Sequence, residues 1–237
     1  METTQQAAPK LQTNLDTNFL KVIAILSMTV DHVGSAFFPQ YPVFRWIGRM
    51  AFPIFCYCLT VGLLYTRDIK KYFLRLGAFA LISQPFWILA FNAGDFLGNL
   101  LNLNIFFTLL VSLAAAWGFK EREWWLLAAC LVLLCIFNFD YAFGGLELIL
   151  VFYLCRNKPW LGALLFVLLY LPAVNGYPED PLACVIGGHA LSFEIFSLLA
   201  LPLIFARTSF DWKIPKWFFY AYYPAHLLAI YLIGLAV

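Results

Sequence analysis

The stretch FLKVIAILSMTVDHVGSAFF, residues 19–38, decides how the rest of the chain is interpreted. It is 20 residues long and almost wholly apolar, and an α-helix needs about 20 such residues to cross the hydrocarbon core of a bilayer. Its ionisable residues are Lys21 near the start and the adjacent Asp31 and His32 in the second half. The stretch therefore predicts a first membrane-spanning helix that carries an acid and a histidine at membrane depth.

The composition of the whole chain is typical of a membrane protein. Hydrophobic residues make up 63% of the 237 residues and charged residues 12%. Soluble domains have about 45–50% apolar and about 25% charged residues, so lipid must cover much of this chain. The net charge of +2 is too small to indicate a nucleic-acid partner. The composition thus predicts the lipid bilayer as a partner and no nucleic acid.

Further apolar stretches follow the first, and together they predict an all-α, polytopic membrane helix bundle of about nine transmembrane helices. The predicted segments are 19–38, 43–64, 72–91, 100–119, 124–137, 141–155, 160–174, 182–206 and 217–235. The fifth, sixth and seventh are short, so the helix count within residues 124–175 stays open. We interpret residues 18–237 as one transmembrane domain, and the polar residues 1–17 as a disordered cytoplasmic tail without a cleavable signal.

Basic residues occur in every second connection between these segments. The connections in between carry Asp95, Asp140, Glu179 and Asp180 instead. Lys and Arg accumulate in cytoplasmic loops, so this alternation predicts a cytoplasmic N-terminus and a C-terminus on the outer side. The basic residues concerned are Lys10, Lys21, Arg67, Lys70, Lys71, Arg75, Lys120, Arg122, Arg156, Lys158, Arg207, Lys213 and Lys216.

Two arginines break the alternation. Arg45 and Arg49 lie at the predicted outer end of the second segment and are four residues apart, so they share a helix face. An aspartate in hydrocarbon needs a partner, and these arginines match Asp31 in depth. Two interpretations stay open: a structural Asp–Arg pair beside a packed His32, or a functional site in which His32 is a general base. For Arg45, snorkelling of the side chain to the surface is a further alternative.

Two prolines predict irregular backbone inside the membrane. Pro53 has no N–H and clashes with the carbonyl of Arg49, so the second helix should kink and that carbonyl should need another partner. Pro224 does the same for the carbonyl of Tyr220 in the last segment. Irregular backbone at membrane depth is tolerated beside a cavity or within protein, so both prolines indicate a site nearby.

Other polar residues within or beside the apolar segments are candidates for substrate binding. They are His226, Tyr223, Asp140, Tyr141, Asn104 and Gln84. His226 shares a face with Tyr222 and Tyr223, which fits a binding wall or a core hydrogen-bond network equally well. Asn104 begins a stripe with Thr108 and Ser112, and such stripes commonly hydrogen-bond helices together. His189 and Glu194 fall within the eighth predicted helix.

The sequence leaves three classes of function open. It contains no P-loop, dinucleotide-binding fingerprint, His-Glu-x-x-His zinc motif or Gly-x-Ser-x-Gly elbow. The six cysteines are interpreted as small buried hydrophobes, and no metal site is predicted. A histidine base beside cationic donors fits acyl transfer. A proton-coupled small-molecule transporter with a buried Asp/His/Arg relay fits the same residues, and a non-catalytic membrane assembly factor is the third alternative.

The motifs, taken in order, resemble the TraX family, whose founding member is an inner-membrane protein of conjugative plasmids that N-acetylates pilin. The matching segments are Met28-Thr-Val-Asp-His32, Ile47-Gly-Arg-Met-Ala-Phe-Pro-Ile-Phe55, Tyr72-Phe-Leu-Arg-Leu76, Asn104-Ile-Phe-Phe-Thr-Leu109, Asp140-Tyr141 and Tyr223-Pro-Ala-His226. They span nearly the whole chain. The combination of Asp-His, Gly-Arg-x-x-Phe-Pro and Tyr-Pro-x-His is specific, whereas each motif alone is not.

The resemblance implies a fold and an activity. The family looks like a branch of the transmembrane acyltransferases, which take an acyl group from cytoplasmic acyl-CoA. It implies a multi-pass N- or O-acetyltransferase of the bacterial inner membrane that uses acetyl-CoA as co-substrate and no metal. The acceptor is left open as an amine or hydroxyl on a peptide, a glycan or a small molecule, of which pilin is one case.

The resemblance also implies roles for particular residues. His32 is the implied catalytic base or acyl relay, and Asp31 is expected to orient it or balance its charge. Arg49 and Arg45 are expected to hold the thioester oxygen or Asp31. In the predicted topology a group of basic residues on the cytoplasmic side is placed to bind the nucleotide end of CoA. The same residues also fit ordinary positive-inside anchors. That group consists of Arg67, Lys70, Lys71 and Arg75.

Overall fold

The computed structural model describes residues 11–210 and 212–236, and within these residues the chain is mainly α-helical. The helices are α1 Thr17–Phe37, α2 Val43–Gly48, α3 Ala51–Tyr65, α4 Ile69–Asn92, α5 Ile105–Glu121, α6 Trp124–Ile136, α7 Gly144–Leu154, α8 Pro159–Tyr170, α9 Ala200–Phe205 and α10 Lys216–Gly234. Short 3-10 helices cover Ala93–Asp95, Leu171–Val174 and Phe193–Leu199. The strands are β1 Asn102–Leu103, β2 Asn138–Phe139, β3 Cys184–Ile186 and β4 His189–Leu191.

Side-chain caps fix where the long helices begin. Asp16 accepts a hydrogen bond from the backbone N–H of Phe19 at 3.2 Å and so caps α1. Asp68 caps α4 through the N–H of Lys71 at 3.0 Å. A carboxylate at this position satisfies a backbone N–H that lacks a partner within the helix and favours the positive end of the helix dipole. The helix starts are therefore encoded locally.

Helix α3 is the centre of the bundle. It packs against α1, α5 and α7, and most of its side chains are buried, among them Ile54 and Tyr57. The peripheral helices instead expose large apolar side chains, such as Leu74 and Leu81 of α4 and Trp125 of α6. Apolar side chains that face outward on a bundle of apolar helices require lipid around them. The chain is therefore a helical membrane protein.

The break between α2 and α3 confirms the predicted effect of Pro53. Helix α2 ends at Gly48 and α3 begins at Ala51, so the backbone is interrupted at Arg49. The carbonyl of Arg49, which Pro53 deprives of its usual donor, accepts a hydrogen bond from Ser197 Oγ at 3.3 Å. The 3-10 helix that carries Ser197 thus packs against the break and supplies the missing partner.

A helix lies in each of the nine predicted segments, but the number of crossings stays a prediction. Among the described residues, three helical stretches are long and apolar enough to span a membrane: Thr17–Phe37, Val43–Tyr65 and Ile69–Asp95. Helices α6, α7 and α8 are 13, 11 and 12 residues long. At 1.5 Å per residue, each is shorter than a bilayer core of about 30 Å.

The prediction of a continuous helix over residues 182–206 is wrong. Residues 184–191 form an antiparallel hairpin instead, in which Cys184 is paired with Leu191. Gly187 and Gly188 form its turn with φ of +59° and +84°, values that glycine adopts without strain. His189 consequently lies in β4, and only the 3-10 helix from Phe193 and α9 continue as helix.

The predicted tail covers residues 1–17, of which residues 1–10 lie outside the described part of the chain. From Leu11 onward the segment contacts the bundle. Thr13 Oγ1 lies 2.7 Å from the hydroxyl of Tyr57, and the backbone N–H of Asn14 donates to the carbonyl of Ile204 at 3.0 Å. These contacts bring the start of α1 close to the end of α9.

Candidate active site

Asp31 binds both arginines that break the charge alternation. Its Oδ2 accepts a hydrogen bond from Arg45 Nη1, and its Oδ1 accepts one from Arg49 Nη2 at 2.8 Å. The residues Asp31 and Arg49 are only 5% and 6% exposed. The predicted pairing of Asp31 with an arginine is therefore present, and both arginines take part in it.

The close approach of α1 and α2 depends on two small residues. A Cβ atom on Gly48 would lie 2.1 Å from Asp31 Oδ1, so no larger residue fits there without displacement. Ser27 Oγ donates to the carbonyl of Ile47 at 2.6 Å and ties α1 to α2 one turn below Asp31. The motif Gly-Arg thus places the guanidinium and also makes room for its carboxylate partner.

Arg49 has a second acidic partner that the sequence did not predict. Its Nη1 donates to Glu194 Oε1 at 3.1 Å, and its guanidinium lies over the rings of Phe193 and Tyr141 at 5.0 and 5.3 Å. Arg49 Nε is buried and has no hydrogen-bond partner among the described residues. Arg49 is therefore fixed in place from three sides.

These residues line a cavity of about 220 Å³, which we call the histidine cavity. Its polar lining consists of Asp31, His32, Ser35, Arg45, Arg49, Asp140 and Tyr141, and its apolar lining includes Phe52, Phe55, Trp87 and Phe91. The side chain of Arg45 is 23% exposed, against 7% for Arg49. Arg45 is thus the more accessible of the two guanidinium groups.

Asp140 and Tyr141 reach this cavity through a strained turn. Tyr141 and Ala142 have positive φ of 62° and 37°, an unusual conformation for residues with a Cβ that often marks a functional site. Tyr141 stacks on Phe52 at 3.9 Å between ring centroids. Asp140 is exposed and lines the cavity, and partial desolvation by the surrounding protein raises the pKa of its carboxyl above its ordinary value, against the opposing effect of Arg49.

His32 and His226 are in direct contact. His32 Nδ1 lies 2.7 Å from His226 Nε2, and His226 Nδ1 lies 3.0 Å from the carbonyl oxygen of Tyr222. His32 lines the cavity, whereas His226 and Tyr223 lie behind it and are 8% and 3% exposed. The structure therefore places these two predicted substrate-binding residues behind the cavity wall.

Gln84 and Asn104 form a network within the bundle. Asn104 Nδ2 donates to Gln84 Oε1 at 2.7 Å and to the carbonyl of Ala80 at 2.9 Å. Gln84 Nε2 donates to the carbonyl of Asn102 at 2.7 Å, and Asn104 Oδ1 caps α5 through the N–H of Phe106. Neither residue lines the histidine cavity. Their polar atoms hold α4 to α5.

A second cavity, of about 270 Å³, lies on the other side of Phe55. Three cationic residues line it, namely Lys21, Arg75 and Lys216, and its lining includes no acidic residue from the part of the chain that the structure describes. We call it the basic cavity. Arg75 Nε is buried without a hydrogen-bond partner among the described residues, and Phe55 lines both cavities.

Of the four residues predicted to bind the nucleotide end of CoA, Arg75 lines the basic cavity. Arg67, Lys70 and Lys71 are exposed, and Lys71 pairs with Asp68 at 3.3 Å. Lys21 and Lys216 were not predicted, although each is a basic residue at the start of an apolar helix. In the described part of the chain, no three His, Cys, Asp or Glu side chains lie together as metal ligands would.

Comparison with known proteins gives one family and two relatives. A family profile with the description "TraX protein" matches residues 16–234. A protein of Dichelobacter nodosus named "Probable fimbrial assembly protein FimC, serogroup H1" is 37% identical over 105 residues, which are 40% of this chain and 43% of that protein. "Uncharacterized protein RP591" of Rickettsia prowazekii (strain Madrid E) is 42% identical over 40 residues, 17% of this chain and 16% of that protein.

The matched segments cover less than half of either relative. No solved structure matches the chain significantly.

Proposed function

The chain belongs to the TraX protein family, and we propose from this that it is a membrane-embedded acyltransferase. It moves an acetyl group from acetyl-CoA to an amine or hydroxyl acceptor at or across the membrane. The observation that carries the proposal is the pair of cavities that share Phe55. Among the described residues, the charged side chains that line one cavity are all cationic, and the other cavity holds His32 beside Arg45.

The basic cavity fits the donor. CoA carries several phosphate charges at one end and a flexible, largely uncharged arm that ends in the thioester. Lys21, Arg75 and Lys216 supply cations for the phosphates. The apolar lining between these cations and Phe55 suits the arm. In the proposed topology this end faces the cytoplasm, where acetyl-CoA is made.

The histidine cavity fits the chemistry. His32 takes the proton from the acceptor as its nitrogen or oxygen attacks the thioester carbonyl carbon. Arg45 stabilises the negative charge that develops on the carbonyl oxygen, and Asp31 positions Arg45 for this role. The carbon–sulfur bond then breaks, and the CoA thiolate leaves with the proton that His32 returns. Amide or ester and free CoA are the products.

The acceptor is proposed as a class only. The Dichelobacter relative is named as a fimbrial assembly protein, which favours a peptide of a surface fibre over a glycan or a small molecule. The outer position of the histidine cavity in the proposed topology agrees with an acceptor on that side of the membrane. A proton-coupled transporter remains the alternative, and it predicts no release of CoA.

The test uses purified protein in nanodiscs with acetyl-CoA as the probe. We expect acetyl-CoA to bind. Without an acceptor, water should take the acetyl group slowly, and free CoA should be released. His32→Gln should bind acetyl-CoA as the parent does and release CoA about 10²–10⁴-fold more slowly, which is the usual contribution of a general base. Arg75→Leu should weaken binding, whereas Lys120→Leu, on the surface beside Glu121, is the matched control and should not.

Two results would contradict the proposal. If the protein does not bind acetyl-CoA at millimolar concentration, acetyl-CoA is not its acyl donor. If His32→Gln releases CoA as fast as the parent does, His32 is not the general base, even if acetyl-CoA binds.

A further inference from the structure

The rings of His32 and His226 lie side by side in nearly one plane. Their planes differ by 12° and their centroids are 5.0 Å apart, while His32 Nδ1 and His226 Nε2 are 2.7 Å apart. Nearly parallel planes cannot be further apart than the distance between these two nitrogens. Most of the centroid separation therefore runs along the ring planes, which is the geometry of a hydrogen bond between ring nitrogens and not of a face-to-face stack.

The direction of this hydrogen bond follows from the next group in line. A backbone carbonyl only accepts, so His226 Nδ1, 3.0 Å from the carbonyl oxygen of Tyr222, must carry a proton. In a neutral imidazole the other nitrogen then has a free lone pair, and His226 Nε2 is an acceptor. His32 Nδ1 must in turn be the donor. A neutral His32 consequently has its lone pair on Nε2.

Two further contacts hold this line in place. Tyr222 OH and Thr29 Oγ1 lie 2.8 Å apart and join α10 to α1 one turn before His32. The ring of Tyr222 stacks on that of His226 with 5.4 Å between centroids and 17° between planes. His226 is thus fixed by its own helix, and its orientation determines that of His32.

We propose that His226 is a positioning residue that holds His32 as the tautomer with a basic Nε2 directed away from α10. The catalytic part of this inference rests on the proposed acyl transfer, whereas the tautomer does not. Nε2 lies across the ring from Nδ1, and His32 forms part of the cavity wall while His226 does not. The lone pair of His32 Nε2 is therefore the one that can take a proton, or an acetyl group, from a molecule in the histidine cavity.

The test begins with the tautomers themselves. The chain has three histidines, and His189→Gln, a change at an exposed residue of β4, leaves only the two of interest. Nitrogen-15 spectra of the histidine-labelled protein distinguish a protonated ring nitrogen from a bare one. We expect a protonated Nδ1 and a bare Nε2 on both rings. A bare Nδ1 and protonated Nε2 on His32 would overturn the proposal.

Two substitutions then separate positioning from packing. His226→Gln keeps an oxygen acceptor near the position of Nε2 and should preserve the His32 tautomer, with CoA release within about tenfold of the parent. His226→Leu keeps apolar volume without an acceptor. It should lower the rate of CoA release by about 10²–10⁴-fold, the range for a general base, without changing acetyl-CoA binding.

Equal rates for the two variants in spite of correct folding would contradict a positioning role. The expected tautomers together with no CoA release in the parent would support the histidine pair and overturn the acyltransferase proposal instead. Should His226→Leu fail to fold, the spectra of the parent and of His226→Gln still decide the tautomer.

Discussion

Asp31 holds the arginine cluster together at the scale of single residues. It is nearly completely buried and accepts hydrogen bonds from Arg45 and Arg49. Removing one partner of a buried pair leaves a charge without compensation, which costs about 3–5 kcal/mol. The cluster is thus a condition for folding as well as a candidate for function.

We expect Asp31→Asn to destabilise the protein by about 3–5 kcal/mol, because two guanidinium groups lose their carboxylate. The measurement is the thermal midpoint in detergent, followed by the fraction of monodisperse protein. Asp68→Asn is the matched control: Asp68 pairs with Lys71 at the surface, and asparagine keeps the cap of α4, so the midpoint should change little. A midpoint for Asp31→Asn equal to that of the control would contradict a structural role for the cluster.

At this scale the sequence predicted pairs that are close along the chain. Asp31 was matched to Arg45 and Arg49 because they share a depth and an unpaired buried charge is costly. The sequence did not predict the contacts of Glu194 and His226. Glu194 is 145 residues from its partner Arg49, and His226 is 194 residues from its partner His32. Hydropathy does not reveal which helices are neighbours. The signal in the sequence was that Glu194 and His226 are ionisable residues within apolar segments, which indicates a polar partner but not its identity.

At the scale of elements, the crossing of α1 over α2 depends on Gly48. We expect Gly48→Ala to destabilise the protein by about 1–3 kcal/mol, the usual range for overpacking, because its Cβ would lie 2.1 Å from Asp31 Oδ1. The substitution should also lower the rate of CoA release, since Asp31 must shift. Gly94→Ala is the control, as a Cβ there meets nothing within 4 Å. Equal thermal midpoints for both variants would show that the crossing is not tight.

The prediction of irregular backbone succeeded at Pro53 and not at Pro224, which lies inside the continuous helix α10. Pro53 predicted the break at Arg49, and Ser197 supplies the partner that the freed carbonyl needed. The prediction of a helix failed over residues 184–191, where apolar Val185 and Ile186 were counted toward a helix. The adjacent Gly187 and Gly188 favoured a hairpin turn, and this local preference prevailed over hydropathy.

At the scale of the whole molecule, the class of protein followed from composition and the spacing of apolar stretches alone. The two cavities did not. The wall of the basic cavity, for example, combines residues of α1, α4 and α10, and hydropathy does not reveal that these helices are neighbours. The different lining of the two cavities is the basis for assigning the donor to one end of the bundle and the acceptor to the other.

The most direct test of transfer through the membrane is to determine from which side of the membrane the protein uses acetyl-CoA. Acetyl-CoA does not cross a sealed bilayer, so it can be offered to one face of membrane vesicles at a time while free CoA thiol is measured. We predict CoA release from inside-out vesicles, in which the proposed topology directs the basic cavity toward the medium, and its loss in His32→Gln. Sealed right-side-out vesicles should release CoA only after permeabilisation. Equal release from sealed vesicles of both orientations, or release independent of His32, would contradict the account.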